Sequence, residues 1–227
     1  MKAPVVDYRK LRLSNITSDE YKHILLLGGW LFYLVMFFIT ENLIPESKCH
    51  IMHCVVDDWI PFNEYFIIFY VLWYFYLVLS IVYFFFYDTK SFAYMQKYII
   101  IMQVVAVITF FVYPSVQYLR PEEFVNDNIF TRILGHIYAV DTPTGVFPSM
   151  HAGFSLAVAS TWAKRKETSA VKKFIMCLIA FMICISVCFV KQHSFLDVVY
   201  ALVIGVGAEF VVFYKDYWSI RFKKNKN

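Results

Sequence analysis

The stretch VFPSMHAG, Val146 to Gly153, sets Pro148, Ser149 and His151 directly ahead of an apolar run that reads as a membrane-buried helix. Ser149 stands where a helix N-cap belongs, because a serine oxygen can accept from the free backbone N–H groups of a first turn. A cap needs only the serine. His151 is left over, and two readings of the pair are open: a wetted helix end, or a place that handles something anionic, since free N–H groups and the helix dipole both favour negative charge.

Working outward, the chain has 227 residues, 60% of them hydrophobic and 20% aromatic, with 7 glycines and 7 prolines. That composition excludes a disordered or collagen-like protein and strains the limits of a soluble domain. Crossing a hydrocarbon core of ~30 Å takes about 20 mostly apolar helical residues. Six segments come close, near 24–41, 65–87, 95–116, 150–164, 173–190 and 195–214. The expected class is therefore all-α: a polytopic membrane protein built as a six-transmembrane-helix bundle, one membrane domain over 1–227. The first apolar run follows a polar segment, Met1 to His23, without a short apolar region ending in a cleavage site, so it is expected to be retained.

With six spans, the tails and the loops at 88–94 and 165–172 share one side. Lys and Arg number 17 there, against four (Lys48, Arg120, Arg132 and Lys191) on the other. The positive-inside rule then puts both termini in the cytoplasm. The net charge of +4 reports orientation, and nucleic acid is not needed as a partner. The tail FKKNKN is expected to be topogenic or to touch anionic headgroups. In the outer loop CHIMHC, Cys49 and Cys54 with His50 and His53 match no usual zinc spacing, which leaves an unliganded or disulfide-closed loop.

This topology carries three distant polar stretches to the outer side: YPSVQYLRP at 113–121, FPSMH at 147–151 and KQHSFLD at 191–197. Arg120 in the first either snorkels at the interface or grips phosphate or carboxylate oxygens in pairs. His151 either packs at the interface or moves a proton near neutral pH. His193 and Asp197 are four residues apart, one helical face, so the carboxylate can hold one ring nitrogen and leave the other outward and more nucleophilic. An Asp at mid-membrane costs about 2.5–3.5 kcal/mol, which calls for a partner or a wet cavity. A plain buried His–Asp hydrogen bond is the alternative. Two imidazoles, a carboxylate, a guanidinium, the Lys191 ammonium and a hydroxyl at a helix start are together what phosphoryl transfer needs.

These residues resemble the type 2 phosphatidic acid phosphatase superfamily, whose three motifs read K-x6-R-P, P-S-x-H and S-R-x5-H-x3-D. The match covers Arg120 and Pro121, then Pro148, Ser149 and His151, then Ser186, His193 and Asp197. The resemblance implies a phosphatase-like core over 65–214, with 1–64 as a peripheral segment, first span and outer loop, and 215–227 as a basic tail. It implies an enzyme acting on a lipid phosphate or prenyl diphosphate without metal or cofactor, in the bilayer of a bacterial cell. His193 would be the nucleophile that becomes phosphohistidine, Asp197 its orienting carboxylate and His151 the acid for the departing alcohol. Arg120 and Ser149 would bind phosphoryl oxygens. The motif lysine falls at Tyr113 and the motif arginine at Val187; Lys191, four residues on, is expected to return a cation to that face. Tyr113 and Gln117 are supporting candidates. Such departures resemble the branch containing inositol phosphorylceramide synthases, where a phosphoryl group or headgroup passes to an alcohol.

The connection 121–147 is long for a linker. Within it Ile129, Phe130, Ile133, Leu134 and Ile137 recur at helical spacing after NDN, predicting a short interfacial helix that is either a lid or a cover for helix ends. Trp59, Phe62 and Tyr65 read as an interfacial belt with Asp57, Asp58 and Glu64 as solvated neighbours. Ala201 and Gly205 form a small-xxx-small pair, and Glu209 is expected to snorkel or pair near the cytoplasmic end, or to serve a proton path.

Overall fold

The computed structural model of the protein describes residues 3–218, and they form eight α-helices with one pair of two-residue strands. In chain order these are α1 Gly28–Leu43, β1 His50–Ile51, α2 Val55–Trp59, α3 Ile67–Tyr87, α4 Thr89–Val112, β2 Ser115–Val116, α5 Ile129–Val140, α6 Met150–Lys164, α7 Ala170–Phe189 and α8 Phe195–Phe213. Five stretches are long and apolar enough to cross a membrane: Lys22–Leu43, Glu64–Tyr87, Thr89–Val112, Ala170–Phe189 and Phe195–Trp218. Their outward side chains, such as Phe32 and Phe38 on α1, Phe75 and Leu79 on α3, Phe181 on α7 and Val211 on α8, are exposed. A belt of this kind suits lipid, where helices satisfy their own backbone groups and side chains meet hydrocarbon. The chain is an all-α, multi-pass membrane protein. The basic tail at 222–227 lies outside the described residues.

The third long helix runs over Thr89–Val112, six residues earlier at its start than the apolar pattern suggests. Asp88 is the reason: its Oδ1 accepts from Ser91 N at 3.0 Å and caps α4, so the expected loop 88–94 shrinks to one residue. The Asp88 carboxylate also takes the Arg165 Nε proton at 2.8 Å, which joins the α3–α4 turn to the α6–α7 turn.

α6 holds the centre. It packs on α7, α4, α8 and α3, and Ala152, Phe154, Ala157, Val158 and Trp162 are buried. Its 15 residues rise about 22 Å, less than the ~30 Å of a full crossing. Small residues set its neighbours' distance. A Cβ on Gly153 would meet Met102 Cε at 2.5 Å, and one on Gly205 would meet Leu156 and the Tyr98 hydroxyl, each at 2.8 Å. Gly205, with the buried Ala201 a turn before it, thus lets α8 approach α4 and α6, where Tyr98 donates to Gly205 O at 2.8 Å. At the far end of α8, Glu209 pairs with Lys164 and accepts from Trp218 Nε1 at 3.0 Å.

The ends of α1, α4 and α7 and the starts of α3, α6 and α8 lie together, and the connections there build a cap. β1 pairs in parallel with β2, His50 opposite Ser115 and Ile51 opposite Val116. The CHIMHC loop is neither bridged nor a metal cage: Cys49 and Cys54 are free thiols, His50 stacks on Tyr113 at 4.0 Å, and His53 Nε2 meets Asp58 Oδ1 at 2.8 Å. Two acids expected in solvent are buried. Glu64 accepts from Asn126 and Asn128, and Asp57, within α2, is 3% exposed. Burial without partners is costly for a carboxylate, and each has found several donors.

Candidate active site

The third polar stretch becomes a tight turn between α7 and α8. Gln192 N and His193 N both donate to Val187 O, at 2.9 and 3.1 Å, wrapping the turn onto the end of α7. Lys191 adopts φ 51, the left-handed conformation that lets the chain reverse there. Ser194 caps α8, accepting from Leu196 N at 3.2 Å, while Asp197 Oδ2 reaches back to Ser194 N at 2.9 Å. This reciprocal cap fixes the Asp197 carboxylate next to His193.

His193 Nδ1 lies 3.2 Å from Asp197 Oδ2 and 3.0 Å from the backbone oxygen of Val146. A carbonyl oxygen can only accept, so Nδ1 carries the proton and Nε2 keeps its lone pair. The second imidazole is close by: the His151 and His193 ring centroids are 5.6 Å apart. His151 sits in the first turn of α6, between Tyr70 at 4.6 Å and Trp73 at 4.4 Å, both on α3, and its Nε2 has no partner among the described residues. Ser149 is the N-cap, accepting from Ala152 N at 3.4 Å, and its own N–H donates to Asp197 O at 3.1 Å. The starts of α6 and α8, each with one histidine beside it, are thereby tied together.

Arg120 reaches the same place from the other side. Its Nη2 donates to Gln192 Oε1 at 2.5 Å, and Gln192 Nε2 donates to Asp141 Oδ2 at 3.2 Å and to the Tyr70 hydroxyl at 3.4 Å. The guanidinium also holds the segment after α5, through Asp141 O at 2.9 Å and Tyr138 O at 3.3 Å, and lies over the Tyr138 ring at 4.7 Å. Its Nε is buried and unpartnered among the described residues. Asp141 Oδ2 stands 3.9 Å from Arg120 Nη2. Burial pushes the Asp141 carboxyl above the usual carboxylate range, opposed by the charges of His193 and Arg120 and by the Gln192 amide.

A model of the PAP2 superfamily matches residues 96–221, which include every one of these groups except Tyr70 and Trp73. The chain belongs to the PAP2 superfamily. PAP2 proteins are generally phosphoesterases, so phosphate-ester chemistry is the activity class. No curated protein and no solved structure matches the chain.

Against the PAP2 pattern, His151, His193, Asp197, Arg120 and Ser149 come together around one site, and the remaining expectations fare differently. Lys191 does not return a cation to the face of Val187. Its ammonium donates to Asp57 O at 2.8 Å and Ile60 O at 2.5 Å, holding the end of α2. α7 ends at Phe189, so the helical spacing that would have aligned positions 187 and 191 is broken. Tyr113 is engaged with His50, and Gln117 spends Oε1 on Leu119 N at 2.7 Å, with Nε2 unpartnered among the described residues. Val187 is fully buried.

Five residues join the site that spacing alone does not reveal. Tyr70 and Trp73 flank His151, Gln192 and Asp141 bridge it to Arg120, and Asp57 accepts from Ser194 Oγ at 2.6 Å and Phe195 N at 2.7 Å. Gln192, next to the histidine, and the acid in VDTPT were visible as polar residues beside motifs; the α3 aromatics carried no such signal.

Proposed function

We propose that this chain is an integral membrane enzyme that moves the phosphoryl group of a lipid phosphate ester through a phosphohistidine at His193, on the outer membrane face. One observation carries the reading: Nδ1 of His193 is held by two acceptors, which leaves Nε2 as a lone-pair nucleophile on a ring whose centroid is 5.6 Å from that of His151. In the first step Nε2 forms a bond to phosphorus as the P–O bond to the lipid alcohol breaks, and protonated His151 gives its proton to the departing oxygen. In the second, water attacks phosphorus, the N–P bond breaks and His151 takes the water proton. Asp197 offsets the positive charge on the phosphorylated imidazole. Arg120 is the guanidinium assigned to the phosphoryl oxygens, its buried Nε having no partner among the described residues.

A lipid substrate is supported by an apolar cleft of about 570 Å³ between α7 and α8, floored by α6, whose lining includes Leu156, Ala180, Cys184 and Leu202. Ile60, Phe189 and Phe195 line it too, beside the turn that carries His193. The charge asymmetry of the loops supports an outer-face site with cytoplasmic termini. A second reading, transfer to an alcohol in place of water, is favoured by Tyr113 and Val187 standing where the family pattern has cations.

The test uses purified protein in detergent with a tail-labelled phosphatidate, in chelator. The expected results are release of phosphate, inhibition by vanadate, and an acid-labile phosphoenzyme absent from His193→Ala. An added alcohol that diverts phosphate into a new ester identifies the transferase. Lipid binding or translocation that persists in His193→Ala, with no phosphoenzyme, marks a non-enzymatic lipid carrier and overturns the proposal.

A further inference from the structure

The charge around the phosphoryl site is small for a superfamily that handles phosphate. Arg120 supplies one guanidinium. Of the two positions that the family pattern fills with cations, one is Tyr113, stacked on His50, and the other is the buried Val187. The Lys191 ammonium is turned to two backbone carbonyls of the α2 end. Facing Arg120 is a carboxylate. Asp141 Oδ2 stands 3.9 Å from Nη2, its side chain 46% exposed, and both Arg120 and His193 lie close enough to act on its charge. Gln192 locks this placement, with Oε1 on Arg120 and Nε2 on Asp141, one residue before the nucleophile. The second carboxylate, Asp197, faces His193 and balances that ring.

A phosphomonoester near neutral pH carries close to two negative charges and a phosphodiester one. With Arg120 already matched by Asp141, the second charge of a monoester meets repulsion instead of a counter-ion. Asp141 Oδ1 carries no hydrogen bond from any described residue, so the same carboxylate can accept from a hydroxyl or ammonium on a headgroup. We propose that Asp141 is a specificity-determining residue that offsets Arg120, so that the site takes a singly charged phosphodiester with a donor-bearing headgroup in preference to a doubly charged monoester. This rests on the reading of His193 as the group that attacks phosphorus.

The experiment compares two lipids with identical fluorescent tails, phosphatidate and phosphatidylglycerol, in micelles at pH 8 with the purified full-length protein. Wild type is expected to show the higher kcat/KM on phosphatidylglycerol. Asp141→Asn, which keeps an acceptor for Gln192, is expected to shift the ratio towards phosphatidate by about tenfold, Asp141→Ser to shift it the same way, and Asp141→Glu to hold the wild-type ratio. A wild type that prefers phosphatidate, or a ratio unmoved by both neutral variants, overturns the charge assignment alone, provided His193→Ala is dead on both lipids. Turnover surviving in His193→Ala overturns the reading beneath it, and turnover of neither lipid by wild type overturns both.

Discussion

Replacing Asp197 by Asn separates two jobs that one carboxylate does for a histidine. Where the carboxylate is the sole acceptor for Nδ1–H, an amide lets the ring adopt the wrong tautomer and costs about 10⁴ in kcat. Here Val146 O shares the proton at 3.0 Å, and a backbone carbonyl cannot be mutated into a donor. Asn Oδ1 can also replace Asp197 Oδ2 as acceptor for Ser194 N at 2.9 Å, so the cap of α8 survives. What the variant loses is charge. When Nε2 bonds to phosphorus the ring becomes cationic, and a buried opposite charge about 4 Å away is worth about 4 kcal/mol at an effective dielectric of about 20. That is an upper bound of about 10³ in rate. The expected result for Asp197→Asn is a kcat lower by about 10²–10³, with KM little changed, and a phosphoenzyme still trapped on alkaline quench. A loss of 10⁴ or more, equal to that of His193→Ala, would refute the idea that Val146 O fixes the tautomer.

Two further outcomes follow from the geometry. Lys191→Met removes two ammonium hydrogen bonds that tie α2 to the α7–α8 turn, so it should cost about 2–4 kcal/mol in stability, seen as a lower thermal midpoint in detergent. KM should hold, and a tenfold rise in KM with an unchanged midpoint would return Lys191 to the phosphate. For Asp141, whose carboxyl is raised by burial, the folded state binds a proton more tightly than the unfolded chain. Its contribution to stability is full below the ordinary carboxylate value of about 3.9 and is lost as pH rises through the raised folded value. Wild type should therefore lose thermal stability relative to Asp141→Asn as pH rises through that window, and a wild type that gains stability relative to Asp141→Asn contradicts the burial effect.

The helices were legible because lipid demands long apolar runs, and the caps because Ser149, Ser194 and Asp197 carry side chains suited to free N–H groups. The four-residue spacing of His193 and Asp197 survived translation into structure since the pair straddles a helix start, where one turn already aligns them. Lys191 shows the limit of the same rule. Spacing from Val187 presumed a continuous helix, whereas the chain leaves α7 at Phe189 and turns left-handed at Lys191, sending the side chain to Asp57 and Ile60. Asp57, Asp141 and Tyr70 reach the site only through tertiary folding of separate loops and helices, and a solvated reading of the outer-loop acids was the natural one for isolated charges. Nothing local distinguishes an acid that caps a distant helix from one that faces water.

Asp88 is both the only residue between α3 and α4 and the anchor for Arg165. Two neighbouring hairpins are thus pinned to each other at the end of the bundle away from the two histidines, like the sprung end of a clothes-peg. Any relative movement of the two hairpins pivots there and is largest at the opposite end, where the spacers are long and the two imidazoles lie.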